Sequence, residues 1–315
     1  MQRLDKALLV VSFGTTHEET RKKTIDAIEE HLAAAFPDRR LYRGWTSRMI
    51  VKRLRDRDGA EDAAGLAESA AKSADGPAAN SAVGPAANQV HTDTLEEALE
   101  RMQAEGIRDV LVQPTHMIPG AENDRMLSAL SEAVGRFDCI RAGQPLLSTE
   151  EDREQLAKIL AEQLLGAELS GERTEEPGAG EASGAGGAPG ARALVLMGHG
   201  SAKRPEANRI YDQMQQAFRN VGCENVYVGT VEGTPTLEDV LEQMQAHAGE
   251  VILAPLMIVA GDHAKNDMAG PEEDSWQSRL EAAGHPVVSV LRGLGEYPAV
   301  QEMLVRHARA AERIK

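Results

Sequence analysis

Aromatic residues, cysteines and long apolar runs are all scarce in this chain of 315 residues. Aromatic side chains make up 3% of it, which disfavours a base-stacking surface for nucleic acid. The two cysteines, Cys139 and Cys223, cannot form a disulfide framework, and no zinc-site spacing surrounds them. No apolar run approaches the roughly 20 residues that cross a bilayer, and the first one, residues 7–13, is typical of a strand rather than a leader segment. The sequence therefore predicts a cytoplasmic protein that does not enter a membrane.

Basic residues are also in the minority. The chain has 34 Lys and Arg against 50 Asp and Glu, for a formal net charge of −16. A nucleic-acid surface needs clustered basic residues that release counterions from phosphates, so this charge balance argues against a nucleic-acid partner.

Two stretches, residues 59–90 and 167–191, contain few large apolar side chains and many Ala, Gly, Ser, Pro and acidic residues. Such segments cannot bury enough surface to offset the entropy of ordering, so both are predicted to be flexible. The expected organisation is an N-terminal α/β half at 1–166 with an insertion at 59–90, a linker at 167–191, and a C-terminal α/β half at 192–315 that carries a metal site.

The remaining sequence contains an internal repeat. Corresponding segments of the two halves are 7–14 and 193–200, 94–104 and 236–246, 110–114 and 251–255, and 120–122 and 261–263. Self-similarity over this length indicates a duplication in which each copy is about one domain long.

Short apolar runs alternate with segments of helical periodicity in each half. The runs 193–197 and 251–254 are continuously apolar, which is typical of strands buried on both faces. This alternation predicts two similar domains, each a parallel sheet flanked by helices, with a cleft between them. Ligands of such sheets bind beyond the carboxyl ends of the strands, so the loops that follow the apolar runs are the candidate sites.

Three residues of metal-ligating types lie in such loops of the second half. His199 follows the first strand between two glycines, Glu232 follows the next strand, and His263 follows the strand that ends near Val259. Two imidazoles and one carboxylate suit a divalent first-row metal with open coordination positions. Each residue taken alone is also compatible with an ordinary loop position.

The first half has different residues at the matching places, Phe13 for His199 and Glu122 for His263. The copies have therefore diverged in task. His116 and Glu122 either face a substrate from the first half, or His116 donates a structural hydrogen bond and Glu122 opens a helix. The sequence leaves both interpretations open.

Several motifs together resemble the anaerobic cobalt chelatases, the sirohydrochlorin cobaltochelatases of the class II chelatase superfamily related to ferrochelatase. They are Ser-Phe-Gly-Thr-Thr at 12–16, Thr-Ser-Arg-Met-Ile at 46–50, Gln-Pro-Thr-His-Met-Ile-Pro-Gly-Ala-Glu at 113–122, Met-Gly-His-Gly at 197–200, Thr-Val-Glu-Gly-Thr-Pro at 230–235 and Gly-Asp-His-Ala-Lys-Asn-Asp-Met at 261–268. The resemblance covers nearly the whole chain except the two low-complexity stretches, which the family is not expected to have.

The resemblance implies a chelatase of the lyase class that inserts Co²⁺, as substrate metal, into sirohydrochlorin on the anaerobic route to cobalamin. It implies metal binding by His199, Glu232 and His263, and catalysis by His199 and His263. A histidine can both bind a borderline metal and accept protons near neutral pH, and of the two we favour His199 as the acceptor of pyrrole protons. No Walker or dinucleotide glycine pattern follows a strand, so we expect an ATP-independent reaction and no permanently bound organic cofactor.

Sirohydrochlorin carries many carboxylates, so cations near the strand ends are candidate substrate contacts, although each could equally be a solvated surface charge. These cations are Arg48, Lys203, Arg204 and Lys265. Alternatives to cobalt insertion are iron or nickel insertion into sirohydrochlorin, a ferrochelatase, or a metal or tetrapyrrole carrier without turnover. The oligomeric state, including a homo-oligomer, stays open.

Overall fold

The computed structural model describes residues 5–57, 91–166 and 192–315. The predicted insertion at 59–90 and linker at 167–191 lie outside these ranges. The strands are β1 (Lys6–Ser12), β2 (Arg40–Trp45), β3 (Asp109–Pro114), β4 (Cys139–Ala142), β5 (Ala193–Gly198), β6 (Val226–Thr230), β7 (Val251–Pro255), β8 (Val287–Ser289) and β9 (Glu312–Arg313).

Helices alternate with these strands along the chain. The α-helices are α1 (Glu18–Arg21), α2 (Ala27–Ala35), α3 (48–57), α4 (Leu95–Ala104), α5 (Ala121–Ala133), α6 (Glu150–Leu160), α7 (Arg209–Asn220), α8 (Leu237–Gln243), α9 (Trp276–Ala282) and α10 (Pro298–Arg309). Turns of π-helix occupy Lys22–Asp26, Ala161–Leu165 and Ala264–Met268, and short 3₁₀ turns occupy Val134–Arg136, Pro205–Asn208 and Leu294–Glu296.

The chain divides into two compact units. The first comprises Met1–Arg21, Glu29–Pro145 and Leu304–Lys315, and the second comprises Lys22–Ile28 and Leu146–Met303. These units differ from the halves expected from the sequence, 1–166 and 192–315. The helix α6 belongs to the second unit because it packs against α7, and residues 304–315 belong to the first unit because β9 pairs with β4.

The sheet of the first unit has the strand order β2-β1-β3-β4-β9. The first four strands are parallel, and β9 is antiparallel to β4 through the pairs Arg141↔Arg313 and Ala142↔Glu312. Alternate residues of β1 and β3 pack into a buried apolar cluster with α4 and α5, including Leu99 and Met126. The antiparallel strand is an addition that the repeat did not predict.

The sheet of the second unit has the order β6-β5-β7-β8 and is parallel throughout. Its order matches the first four strands of the other sheet, as a duplication requires. The central strand β5 is buried along its whole length, which explains why its sequence is continuously apolar rather than alternating. Parallel sheets flanked by helices confirm the predicted fold class.

Matching helices begin in the same way in both units. Thr94 caps α4 and Thr236 caps α8, and each forms a reciprocal capping box with the acid three residues later, Glu97 or Asp239. Each box satisfies two backbone N–H groups that would otherwise lack a partner at the helix start.

The strand pairing also sets the place of the candidate loops. Gly198 at the end of β5 lies opposite Thr230 of β6, and Met197 lies opposite Pro255 of β7. The loops after these three strands therefore begin at one edge of the sheet. Among the described residues, the helices are all too short or too polar to span a membrane.

Candidate metal centre

His199 lies between two glycines because its neighbours approach the backbone closely. A Cβ on Gly198 would lie 2.1 Å from a ring carbon of Tyr211, and a Cβ on Gly200 would lie 2.7 Å from Cβ of Thr230. Gly200 also has a φ of +76°, which is unfavourable for other residues. The Gly-His-Gly sequence is thus a steric requirement of the loop that presents His199.

Two side chains, Tyr211 and Asn208, hold this loop. The N–H of Gly200 donates to the Tyr211 hydroxyl at 3.0 Å. Asn208 accepts a hydrogen bond from the N–H of Ser201 at 2.9 Å and donates to the Ser201 carbonyl at 3.1 Å. Burial raises the pKa of Tyr211, so its hydroxyl stays protonated at neutral pH.

Glu232 is joined to His199 through the backbone. The N–H of Glu232 donates to the His199 carbonyl at 2.8 Å, and the N–H of Val231 donates to the Gly198 carbonyl at 3.0 Å. The loop is closed on its other side by Thr230, whose N–H donates to the Pro235 carbonyl at 2.7 Å. These bonds fix Glu232 beside the histidine without using its side chain.

His263 directly precedes the π-helical turn Ala264–Met268. The first and last residues of that turn, Ala264 and Met268, are both fully buried and anchor it in the apolar core. The Nδ1 of His263 donates to Oδ2 of Asp267 at 2.8 Å. Because a carboxylate only accepts, the proton lies on Nδ1, and Nε2 keeps its lone pair for another partner.

The structure brings these three residues together. One ligand atom from each of His199, Glu232 and His263 lies within 4.8 Å of the other two. The two imidazole rings are 4.7 Å apart between centroids and almost perpendicular, at 88°. His199 and Glu232 are exposed and His263 is about one-third exposed, so a metal ion and a large substrate could reach the ligand atoms. The arrangement suits a divalent metal that keeps open coordination positions.

The other two candidates, His116 and Glu122, lie in the first unit. His116 is 8% exposed, and within the described residues its two ring nitrogens have no hydrogen-bond partner. The structural hydrogen bond that was one interpretation of His116 is therefore not made. Burial lowers the pKa of His116 to about 4, and the nearby charge of Glu122 opposes this shift. Glu122 accepts a hydrogen bond from Arg125 at 2.8 Å in the first turn of α5.

The four candidate cations are exposed. Arg48 belongs to the first unit and forms an ion pair with Glu96 at 3.1 Å, where its own side chain is 79% exposed. The other three, Lys203, Arg204 and Lys265, follow His199 and His263 in the same loops of the second unit.

The sequence did not single out Asp267, Tyr211 or Asn208, which hold the loops of the two histidines. For Asp267 a signal was present, because an acid four residues after a histidine lies on the same face of a helical turn. Tyr211 and Asn208 act across a loop and a helix start, and no local spacing indicates that contact.

Comparison with known proteins supplies the family. The model of the family described as "Cobalt chelatase (CbiK)" matches residues 6–174 and 188–313. A sirohydrochlorin cobaltochelatase of Salmonella typhimurium is 35% identical over 310 residues, 98% of this chain and 97% of the relative. The sirohydrochlorin cobaltochelatase CbiKC of Nitratidesulfovibrio vulgaris is 35% identical over 224 residues, 70% of this chain and 71% of the relative.

Solved structures agree on the fold. SirB from Bacillus subtilis, solved with Fe³⁺, covers 96% of this chain and 94% of its own with a TM-score of 0.57, at 12% identity. DR2241 from Deinococcus radiodurans has a TM-score of 0.53 at 17% identity and is matched over 55% of its length. With the family model and the curated relatives each covering most of the sequence, the chain belongs to the cobalt chelatase (CbiK) family.

Proposed function

We propose that this protein is a sirohydrochlorin cobaltochelatase, which inserts Co²⁺ into sirohydrochlorin to give cobalt-sirohydrochlorin. The observation that carries the proposal is the convergence of His199, Glu232 and His263 at one edge of the second sheet, in a chain of the cobalt chelatase family. The names of the two curated relatives support the substrate and the metal.

We assign Co²⁺ binding to the two imidazoles and the carboxylate. Imidazole suits Co²⁺, and the carboxylate offsets part of its charge. A closed four-ligand site would retain the ion, whereas three accessible protein ligands leave positions at which pyrrole nitrogens replace the protein. The expected affinity is therefore moderate, which suits a metal that is transferred.

Two pyrrole N–H protons must leave for each Co²⁺ that enters the ring. Cobalt stays in the +2 state, so the step needs no oxidant, reductant or nucleotide. When the metal leaves its ligands, the freed imidazole lone pair accepts one pyrrole proton, and the second proton passes to solvent water. We assign this role to His199, whose Nδ1 donates to the Gly200 carbonyl at 2.9 Å and whose Nε2 is thereby the free acceptor.

The acidic side chains of sirohydrochlorin need positive partners, because the chain is strongly anionic. We assign this contact to Lys203, Arg204 and Lys265, which follow the two histidines in sequence. His116, Glu122 and Arg48 of the first unit are proposed as further substrate-binding residues, with effects on KM rather than on metal affinity. A cytoplasmic location and the lack of a resident organic cofactor are part of the same proposal.

The test is catalytic turnover. Purified protein at catalytic concentration is mixed with sirohydrochlorin and Co²⁺, Fe²⁺ or Ni²⁺, and a porphyrin replaces sirohydrochlorin in a parallel series. We expect many turnovers with Co²⁺ and sirohydrochlorin, followed by the change in visible spectrum. A stoichiometric change without turnover would identify a carrier, and faster insertion into the porphyrin would identify a ferrochelatase.

A further inference from the structure

The two histidines of the metal centre are held in different ways. His199 donates its Nδ1 proton to the carbonyl of its own neighbour, Gly200, at 2.9 Å. His263 donates its Nδ1 proton to the side chain of Asp267 at 2.8 Å. A backbone carbonyl is fixed by the fold of the loop, whereas a side-chain acceptor can be lost by a single substitution.

The position of Asp267 depends on one additional residue that the second half has between a glycine and a buried methionine. Met126 follows Gly120 by six positions, while Met268 follows Gly261 by seven, and both methionines are fully buried. Both segments begin alike, since Asp124 donates its N–H to the Gly120 carbonyl and Lys265 donates to the Gly261 carbonyl. The additional residue is therefore accommodated by the π-helical turn Ala264–Met268, a feature that often marks functional sites.

The first half has a matching pair with other chemistry. Arg125 directly precedes the buried Met126, as Asp267 directly precedes the buried Met268. Arg125 donates to Glu122 at 2.8 Å, and Asp267 accepts from His263 at 2.8 Å. In each half, the residue directly before the buried methionine forms a hydrogen bond with a residue in the segment after the third strand of the sheet. The two partners have complementary chemistry. An acid at position 267 is thus matched to a histidine at 263.

Asp267 also lines a polar groove of about 480 Å³. Other groove residues include Glu238, Glu272, Asp274, Trp276 and Arg279. Two separate roles of Asp267 can therefore be distinguished by experiment, a hydrogen bond to one histidine and a share of the negative charge in the groove.

We propose that Asp267 is a positioning residue for cobalt insertion. Its carboxylate holds His263 in the tautomer with the proton on Nδ1 and directs the Nε2 lone pair to the metal. This inference rests on the proposed role of His263 as a metal ligand. Outer carboxylates of this kind typically contribute about 10- to 100-fold to metal affinity, because they fix the tautomer and the ring orientation of the ligating histidine.

The test compares Asp267→Ala and Asp267→Asn with two other acidic positions of the same unit. Glu272→Ala removes a charge from the groove, and Glu273→Ala removes an exposed charge that does not line it. Co²⁺ alone is titrated into the full chain by calorimetry. Nitrogen NMR of the metal-free protein reports the tautomer of His263, which a merely structural role would not change.

We expect Asp267→Ala to weaken Co²⁺ binding about 10- to 100-fold and to give mixed tautomers of His263. Asp267→Asn keeps an acceptor oxygen and should retain the Nδ1–H tautomer with a smaller loss of affinity. Both glutamate variants should stay within about twofold of the wild type, and the melting temperatures of all four should be similar.

Two results would overturn the inference. One is an unchanged tautomer and Co²⁺ affinity in Asp267→Ala, and the other is an equal loss in Glu272→Ala, which would assign the effect to the charge of the groove. Failure of the underlying metal centre gives a different result, because His263→Ala would then bind Co²⁺ as tightly as the wild type.

Discussion

Ser47 in the first half and Glu232 in the second half donate equivalent backbone hydrogen bonds. The N–H of Ser47 donates to the Phe13 carbonyl at 3.3 Å, and the N–H of Glu232 donates to the His199 carbonyl at 2.8 Å. The strands before these residues are paired in the same register, with Trp45 opposite Ser12 and Thr230 opposite Gly198. The loops at the carboxyl edges of the two sheets therefore share this part of their backbone.

The side chains at these matched positions differ completely. Phe13, Ser47 and Glu122 stand where the other half has His199, Glu232 and His263. Phe13 is 50% exposed, so the first half leaves an apolar ring in solvent where the second half has an imidazole. The comparison shows that one backbone frame carries different side chains in the two halves at the three positions proposed for the metal centre.

The strongest test converts the second half toward the first. His199→Phe installs the side chain of the matched position and removes a proposed ligand and proton acceptor. We expect it, like His199→Ala and His263→Ala, to lower cobalt insertion at least about a hundredfold, the scale of losing general-base help. Initial rates at saturating Co²⁺ and sirohydrochlorin measure the effect, since subsaturating conditions would mix binding with chemistry.

The matched controls for this test lie in the first half. Phe13→Ala should leave Co²⁺ affinity unchanged, and His116→Ala should have a milder effect on tetrapyrrole affinity or rate. If His116→Ala abolishes insertion while His199→Ala and His263→Ala stay near wild-type rates, the two halves have been assigned in the wrong order.

The halves should also respond differently to acid. Burial lowers the pKa of His116 to about 4, with Glu122 opposing, whereas an unfolded histidine has a pKa of about 6.5. Between these values the unfolded chain binds a proton that the folded chain does not. The folded state therefore loses stability as the pH falls from about 6.5 to about 4, by up to about 3 kcal/mol.

Urea unfolding of the wild type and His116→Gln across this pH range measures the effect. The variant should lose less stability than the wild type as the pH falls. Met257, the matched position of the second half, provides a control, because Met257→Gln changes no titratable group and should keep the wild-type pH dependence. Parallel curves for the wild type and His116→Gln would rule out a buried neutral histidine.

Shared backbone geometry predicts shared sensitivity to glycine substitution. Gly14 and Gly200 have φ values of +102° and +76°, and an added Cβ would lie 2.1 Å from the Trp45 ring or 2.7 Å from Cβ of Thr230. Gly14→Ala and Gly200→Ala should each lower the free energy of unfolding by about 2 kcal/mol, from strain and crowding together.

Gly222 is the matched control, because it has a φ of +86° but no atom within 4 Å of an added Cβ. Gly222→Ala therefore reports the backbone strain alone and should cost about 1 kcal/mol. A cost for Gly200→Ala no greater than that of Gly222→Ala would show that the close approach of Thr230 can relax.

A further expected effect concerns the proposed carboxylate ligand. Glu232→Gln keeps the size of the side chain but removes its charge, and should weaken Co²⁺ binding by about tenfold, which corresponds to about 1.4 kcal/mol. Ser47→Ala, at the matched position of the first half, should leave Co²⁺ binding as it is. Calorimetric titration of both variants decides whether Glu232 binds the metal. A Co²⁺ affinity of Glu232→Gln equal to that of the wild type would remove Glu232 from the proposed ligands.

Much of the fold could be predicted because the spacing of apolar residues indicates the strands and helices of both copies of the repeat. The run at 193–197 forms β5, and the predicted order of loops at one sheet edge brings His199, Glu232 and His263 together. This works because the carboxyl ends of parallel strands meet at a common edge.

The features that the sequence did not predict depend on very short segments or on polar residues. The strand β9 consists only of Glu312 and Arg313, and nothing in two charged residues indicates a partner strand. The partner of His263 depends on a one-residue difference in spacing before Met268, which is visible only once both methionines are known to be buried. Such contacts are set by tertiary packing rather than by local pattern.

The interleaved units have a consequence for synthesis. The first unit includes residues 304–315, which pair with β4 through β9, although the rest of that unit ends at Pro145. At about 5 to 20 residues per second, a ribosome needs roughly 10 to 30 seconds to make the intervening stretch. During that time the edge of β4 has no β9 to pair with, so the first sheet is completed only after the strands that lead to the proposed metal ligands have been made.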